Sequence, residues 1–490
     1  MQRAGLATAQ LALALAPHAS HIWIACGPGN NGGDGFEAAL HLHRWGKRVT
    51  VTWTGISAER GAAAGDAEIA RQRAVAAGVV FAADPPPAFD LCVDALLGIG
   101  ASGRGQHLGN TQILRWLGVM QASPCPQLCV DVPSGLQADS GAVMLGSATE
   151  LIARKPYPAC GKHVFTLTFL GLKPGLFTAR GRDSAGEVWL SDLGASASLP
   201  TPYGWLLGED DALLRPCQPR AHAGHKGSYG DVAIVGGQSA GVSHMTGAAL
   251  LAASGALHAG AGRVFVALLN GAGSAAKLSV DTTHPEFMFR AFEALDMDKQ
   301  VIVCGVGGGT AVRNVIGQVL TSARQAVLDA DALNAIATDC ALQALLAKRA
   351  GRGQTTVLTP HPLEAARLAN TSAEEVQQNR LGFAQQLADE FACVVVLKGS
   401  GTVVCAPGRL LMVNHSGNGL LASGGTGDVL AGMLGARLAA GMPSFEAACS
   451  AVHAHGHAAD VWALKQPGKT LTASRLAQLQ SATAGAPAPD

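Results

Sequence analysis

A chain of 490 residues exceeds what one hydrophobic core organises, so two or more domains are expected. Lys plus Arg and Asp plus Glu number 35 each, which leaves no basic surplus for nucleic acid or anionic lipid and points to small-molecule partners. The 11 Cys are scattered without a C-x-x-C pair, a pattern of reduced cytoplasmic thiols rather than a disulfide framework or zinc ribbon.

The opening "MQRAGLATAQLALALAPHAS" has the outline of a signal peptide, but Thr8 and Gln10 interrupt its apolar run. Leu6, Leu11, Leu13 and Leu15 suit a small amphipathic helix instead. Next come short β-branched runs, "HIWIAC", "RVTVTWT", "FDLCVDAL" and "PQLCVDV", separated by helical stretches such as "FEAALHLHRWG" and "DAEIARQRAVAAG". That alternation predicts a parallel sheet covered by helices. Polar, proline-bearing "GASASLPTPYGW" breaks the rhythm, and a second series runs through "DVAIVGG", "RVFVALL", "VIVCGVGGG", "AVLDADAL", "TTVLTP" and "CVVVLKG". The boundary is placed near residues 203–211, giving domains over 1–205 and 210–480. The Ala/Gly-rich run 243–270 contains His244, His258 and Arg263, so it reads as a buried helix plus strand rather than a membrane span. The tail 481–490, "SATAGAPAPD", has too little apolar surface to order and is expected to be disordered.

"CGPGNNGGDGFEAAL" matches G-x-G-x-x-G at Gly27, Gly29 and Gly32, the dinucleotide fingerprint. A hydride-transferring Rossmann site needs an acid near the end of the second strand. Here that strand ends "TWTG", and the nearest following acid, Glu59, lies beyond it. The loop itself carries Asn30, Asn31 and Asp34, which favours a site lined by side chains over a backbone-only phosphate cradle. Asp94 in "VDALLGIGASGR", and Asp131 with Ser134 in "VDVPSG", also follow buried runs, at strand ends where open sheets bind ligands. Either acid alone could cap a following helix. Together with Asn31 they suggest a small oxygen-lined site suited to a hard cation or a sugar-phosphate.

In the second block Gly424, Gly425 and Gly427 lead into a helix with Val429, Leu430, Met433, Leu434 and Leu438 on one face, ending before Gly441 and Pro443. Free N–H groups at such a helix start bind phosphoryl oxygens. Asp428, in the first turn, reads as a base for an attacking hydroxyl in preference to a helix-end acid. Lys398 with "GSGT" forms a second candidate cradle. His361 in "TPHP" follows a strand, where a plain turn histidine is the alternative. In "HAHGH", His453 and His457 have the spacing to grip zinc, but no nearby Cys or Glu completes a site, so a structural or surface role is expected.

Taken in order, "GNNGGDG", "DVPSGL", "LTPHP" and "NGLLASGGTGDVLAGM" span nearly the whole chain and resemble the bifunctional NAD(P)H-hydrate repair enzymes. The resemblance implies an N-terminal Rossmann-like three-layer α/β/α epimerase domain followed by a ribokinase-like α/β domain, an ADP-dependent dehydratase. It further implies that a dinucleotide is bound without hydride transfer. One domain interconverts the R and S hydrates; the other phosphorylates the ring hydroxyl of the S form, giving NAD(P)H, AMP and phosphate. Carried over by position, Asn30, Asn31, Gly32, Gly33, Asp34, the loop Gly98, Ile99, Gly100, Ala101, Ser102, Gly103 and Arg104, and a catalytic Asp131 line the epimerase pocket. Potassium is held by Asn31, Asp94 and Ser134. In the dehydratase, Ala248, Gly307, His361 and Asp428 contact the hydrate. Lys398, Gly399, Ser400, Gly401, Thr402 and Gly427 contact the adenine nucleotide, with magnesium accompanying the phosphates. A cytoplasmic homo-oligomer without membrane or nucleic-acid partners is expected. Three departures stand out: the chain begins late relative to the family's usual N-terminal helix, "ATELIARKPYPACGKH" is a long connection, and Val306 stands where proline is usual. The rival readings are a vitamin or sugar kinase of ribokinase type fused to a nucleotide-binding domain, and an N-terminal half that is a non-catalytic scaffold.

Overall fold

The structure, a computed structural model, describes residues 1–55, 65–100, 111–144, 163–195, 201–208, 222–240, 243–270 and 279–480. The chain divides into two compact units, Met1–Thr201 and Pro202–Asp490. The disordered tail foreseen at 481–490 lies outside the described residues, as do Ala101 to Arg104 and most of the long connection before "VFTLTF".

The first unit is built on β1 (His21–Cys26), β2 (Arg48–Trp53), β3 (Val80–Ala82), β4 (Leu91–Ala95), β5 (Gln127–Val130), β6 (Val164–Phe169) and β7 (Glu187–Ser191). They pair in the order β3-β2-β1-β4-β5-β6-β7, every pair parallel. In β1, Ile22 to Cys26 are wholly buried, which is why the strand reads as an unbroken apolar run rather than an alternation. The opening segment folds as the helix Gln2–Leu15, laid on the helix Asn30–Arg44. The contact needs Gly5, where a Cβ would lie 2.2 Å from that of Glu37.

The second unit contains β8 (Gly204–Leu207), β9 (Asp231–Ala240), β10 (Ser243–His244), β11 (Arg263–Asn270), β12 (Met288–Phe289), β13 (Gln300–Cys304), β14 (Gln325–Leu328), β15 (Thr355–Leu358), β16 (Val394–Leu397), β17 (Val403–Cys405) and β18 (Leu411–Asn414). Their order is β12-β11-β9-β13-β14-β15-β16-β17-β18-β8, with β10 against β9. The strands from β12 to β16 run parallel, and β17 and β18 continue the sheet antiparallel. The run 243–270 contains the helix Thr246–His258 and β11. Among the described residues no helix is long and apolar enough to cross a membrane.

The division falls before residue 205, earlier than the sequence boundary. Gly204–Leu207 pairs in parallel with Leu411–Asn414, so Gly204 and Trp205, assigned to the end of the first domain, lie in an edge strand of the second sheet. Sequence spacing cannot reveal a strand partner some 200 positions away.

Candidate active sites

In the first unit, chain order reverses between β1 and β4, and an open parallel sheet leaves a crevice at such a point. The residues expected in a glycine loop behave differently from the expectation: the helix begins at Asn30, so Asn30, Asn31, Gly32, Gly33 and Asp34 occupy its first turns. Glycine is required by proximity. A Cβ at Gly32 would sit 2.1 Å from the Gly27 carbonyl oxygen, and one at Gly35 would sit 2.7 Å from Ala95 Cβ and Cys26 Sγ. The glycines thus let the helix start lie directly on the ends of β1 and β4, as close backbone approach demands.

Asn31 is only 8% exposed, and among the described residues neither polar atom of its amide has a hydrogen-bond partner. Against it rests Gly98, whose Cβ would be 3.2 Å from Asn31 Cβ. The chain just before Gly98 is tied to the other two residues of the expected cation site. Buried Asp94 accepts from Ser134 Oγ (2.6 Å), Ser134 N (3.0 Å) and Leu96 N (3.2 Å), while Leu97 N donates to Ser134 Oγ (2.8 Å). Gly98 therefore bridges the Asp94–Ser134 pair to the unsatisfied amide. Ile99 and Gly100 follow it, with Ile99 exposed.

Asp131 follows β5 in a left-handed conformation, φ +65°. Its carboxylate pairs with Lys173 Nζ at 2.6 Å, and Lys173 also donates to the Phe169 carbonyl at 2.6 Å. Burial pushes the Asp34 carboxyl up to about 7 against the opposing Met1 ammonium 4.0 Å away, and the neighbouring charges of Asp131 and Glu37 push the same way as burial. Two carboxyl groups and an ammonium thus share this crevice. Lys173 was not singled out from sequence. Its signal was positional: "GLKPG" follows β6, the strand paired with the one preceding Asp131.

In the second unit the ends of adjacent strands β13, β14, β15 and β16 supply Gly307, Asp329, His361 and Lys398. Lys398 Nζ lies 2.6 Å from Asp329 Oδ1. The two candidate cradles converge there, because a Cβ at Gly427 would lie 3.5 Å from Lys398 Nζ. The helix Thr426–Ala439 starts from Gly425, itself left-handed at φ +90°. Asp428, in its first turn, makes no hydrogen bond or ion pair among the described residues. Burial, then Asp329, push its carboxyl up to about 7, partly offset by Lys398. A helix-end acid tied to backbone N–H groups would be pushed the other way. Burial alone would lower the Lys398 ammonium, but Asp329, Glu364 and Asp428 hold it above the usual value and keep it charged.

His361 caps the helix Pro362–Leu368. Its Nδ1 accepts from the backbone N–H groups of Leu363 (3.1 Å) and Glu364 (3.3 Å), and its Nε2 lies 3.1 Å from Glu364 Oε1. Both nitrogens are committed, leaving the ring face for a ligand. Ala248 and Gly307 are in contact: Gly307 is left-handed at φ +55°, and its Cβ would be 2.8 Å from that of Ala248. In "HAHGH" the rings of His453 and His457 stack at 5.8 Å, whereas His455 turns inward with Nε2 2.9 Å from the Thr426 carbonyl. Burial lowers the His455 imidazole to about 4, so it stays neutral beneath the glycine helix. Among the described residues no group of three or more His, Cys, Asp or Glu is placed to hold a metal by itself. Asp329, Asp331 and Glu364 were not singled out beforehand; their proximity exists only in the folded sheet.

A parallel sheet whose strand ends present a lysine–aspartate pair, facing a glycine-started helix with an unpartnered acid, defines a phosphoryl-transfer domain of kinase type. It is joined to a Rossmann-ordered unit with a carboxylate site of its own. Comparison with known proteins agrees. Residues 232–481 match the NAD(P)H-hydrate dehydratase family, and residues 1–175 match the YjeF-related protein N-terminus. The bifunctional NAD(P)H-hydrate repair enzyme Nnr of Escherichia coli K12 is 35% identical over 486 residues, covering 95% of this chain and 85% of its own. The ADP-dependent (S)-NAD(P)H-hydrate dehydratase of Neisseria meningitidis serogroup B is 41% identical over 249 residues, 49% of this chain and 80% of its own. The ADP/ATP-dependent NAD(P)H-hydrate dehydratase of Bacillus subtilis, co-crystallised with ATP/Mg2+, shares 29% identity with a TM-score of 0.47, covering 56% of this chain and 96% of that one. The chain belongs to the bifunctional NAD(P)H-hydrate repair enzymes, which join an epimerase to an ADP-dependent dehydratase.

Proposed function

We propose that the second unit phosphorylates the ring hydroxyl of the S hydrate from ADP, with Asp428 as the base. Asp428 takes the hydroxyl proton as the oxygen attacks the terminal phosphorus of ADP. AMP departs, and loss of the new phosphate ester as inorganic phosphate, with a ring proton, restores the NAD(P)H double bond. The observation that carries this reading is the Asp428 carboxyl itself: unpartnered, raised to about 7 and grouped with Lys398 and Asp329. Lys398, Gly399, Ser400, Gly401, Thr402 and Gly427 hold the nucleotide phosphates, while Ala248, Gly307 and the exposed face of His361 contact the hydrate. Magnesium would accompany the nucleotide phosphates, whose oxygens are the hard ligands it prefers.

In the first unit, Asp34, Asp131 and Lys173 supply the proton transfers that inversion at a hydroxyl-bearing ring carbon requires. Potassium fits the buried, unsatisfied amide of Asn31 together with the charge of Asp94 and the hydroxyl of Ser134. Bound there, the cation supplies fixed positive charge at the dinucleotide crevice.

The test is Asp428→Asn in the full chain, given both hydrate epimers and ADP while NAD(P)H absorbance is followed. Dehydration should drop by roughly two to four orders of magnitude with epimerisation intact. A near-parental rate would remove Asp428 from the chemistry.

A further inference from the structure

Arg380 opens the helix Arg380–Glu390 and is 1% exposed. Among the described residues no carboxylate pairs with it, and burial lowers its guanidinium to about 10. Its Nη1 donates to Gln377 Oε1 at 2.6 Å. Its Nη2 faces three backbone carbonyls, those of Leu397 (3.2 Å), Lys398 (3.1 Å) and Gly401 (3.2 Å). Gly399 lies on the guanidinium: a Cβ there would be 3.0 Å from Nη1, and the residue is left-handed at φ +135°. The whole 398–402 turn is therefore wrapped around one buried cation.

We infer that Arg380 is the positioning residue that forms the 398–402 loop into an anion cradle for the nucleotide phosphates. The inference rests on the reading of that loop as the ADP site. In a planar trans peptide the C=O of one residue and the N–H of the next point in opposite directions. Drawing the carbonyls of Lys398 and Gly401 toward Arg380 turns the N–H groups of Gly399 and Thr402 away from it. The N–H of Lys398 is already used by the Pro360 carbonyl at 2.9 Å, so the outward donors belong to the loop proper. Successive outward N–H groups make an anion-binding concavity. A guanidinium fits the rear because its planar fork reaches several acceptors at once and carries a charge that burial scarcely removes. Burying it without a counter-ion is unfavourable, and an anion in front of the loop offsets that cost.

The molecule contains its own control. Arg349 is equally buried and donates to the carbonyls of Val319, Leu320, Ala323 and Thr355 and to the Thr356 hydroxyl, none of them in a proposed site. In the full chain with Mg2+, Arg380→Lys should raise the calorimetric Kd and the KM for ADP by about tenfold or more. The KM for the hydrate should stay unchanged. Arg349→Lys should lower the melting temperature with ADP affinity unaltered. A folded Arg380→Lys protein with parental ADP affinity, or with ADP and hydrate weakened equally, overturns the inference. Should that variant not fold, Gln377→Ala, which removes the side chain that holds Nη1 of the guanidinium, decides on the same readouts. Gly401→Val separates the two claims. If it leaves ADP binding intact, the loop is not the nucleotide site; if it abolishes binding while Arg380→Lys does not, only the role of Arg380 fails.

Discussion

The surroundings of Asp428 bear both on its proposed role as base and on the stability of the fold. With its carboxyl raised to about 7 from an ordinary 3.8, the base form accumulates only as pH passes neutrality. Dehydration should therefore rise with pH along a limb centred near 7, a limb that Lys398→Met shifts to higher pH because it removes the cation favouring the ionised form. The stability sign follows from the same shift. Between about pH 4 and 7 the folded state binds more protons at this position than the unfolded chain, so the group destabilises the fold progressively as pH rises. Asp428→Asn should then melt higher than the parent at pH 8, by ~2 °C or more, and level with it near pH 4. Equal melting temperatures at pH 8 would mean that the carboxyl is not held up by burial. Asp428 was legible in the sequence because a glycine run and a helix pattern bracket it. Asp329 was not, because its lysine partner lies 69 positions away.

At the level of elements, the glycine-rich start of the helix Asn30–Arg44 is a packing device. The sequence of Asn, Gly and Asp there has poor helix propensity, which is why a loop was the natural expectation. Contact with the ends of β1 and β4 overrides propensity, since only a helix without side chains fits so close to Gly27 and Ala95. Gly32→Ala places a methyl 2.1 Å from the Gly27 carbonyl oxygen. Such overpacking costs about 1–3 kcal/mol and must displace the helix from the strand ends. Epimer exchange should fall at least ~10-fold, while dehydration of the S hydrate stays at the parental rate. Retention of full epimerase activity would show that the crevice tolerates a shifted helix.

For the whole molecule, the joining of two activities has a stereochemical rationale. Phosphoryl transfer requires the acceptor oxygen in line with the donor phosphorus, and inversion at the ring carbon points that oxygen away. A chain carrying Asp131→Asn should convert a mixture of hydrates in a burst that stops once the S form is consumed. It should then continue only as fast as the epimers interconvert unaided, whereas the parent runs to completion. Continued fast conversion by the variant would place epimerisation elsewhere than at the Asp131–Lys173 pair.

Local pattern determined a good deal by itself. Apolar runs buried on both faces announced parallel strands, glycine clusters announced close approach at their ends, and four ordered motifs carried the family resemblance. Those signals lie within a few residues of one another, where spacing constrains geometry. The tertiary structure alone decided which distant groups meet. It drew Gly204–Leu207 into the second sheet, brought Lys173 to Asp131 and Asp329 to Lys398, and placed Arg380 behind the loop it supports. Each depends on strand order in a sheet, and strand order is set by burial of the sheet's faces against covering helices, a property of the packed chain that no short stretch of sequence contains.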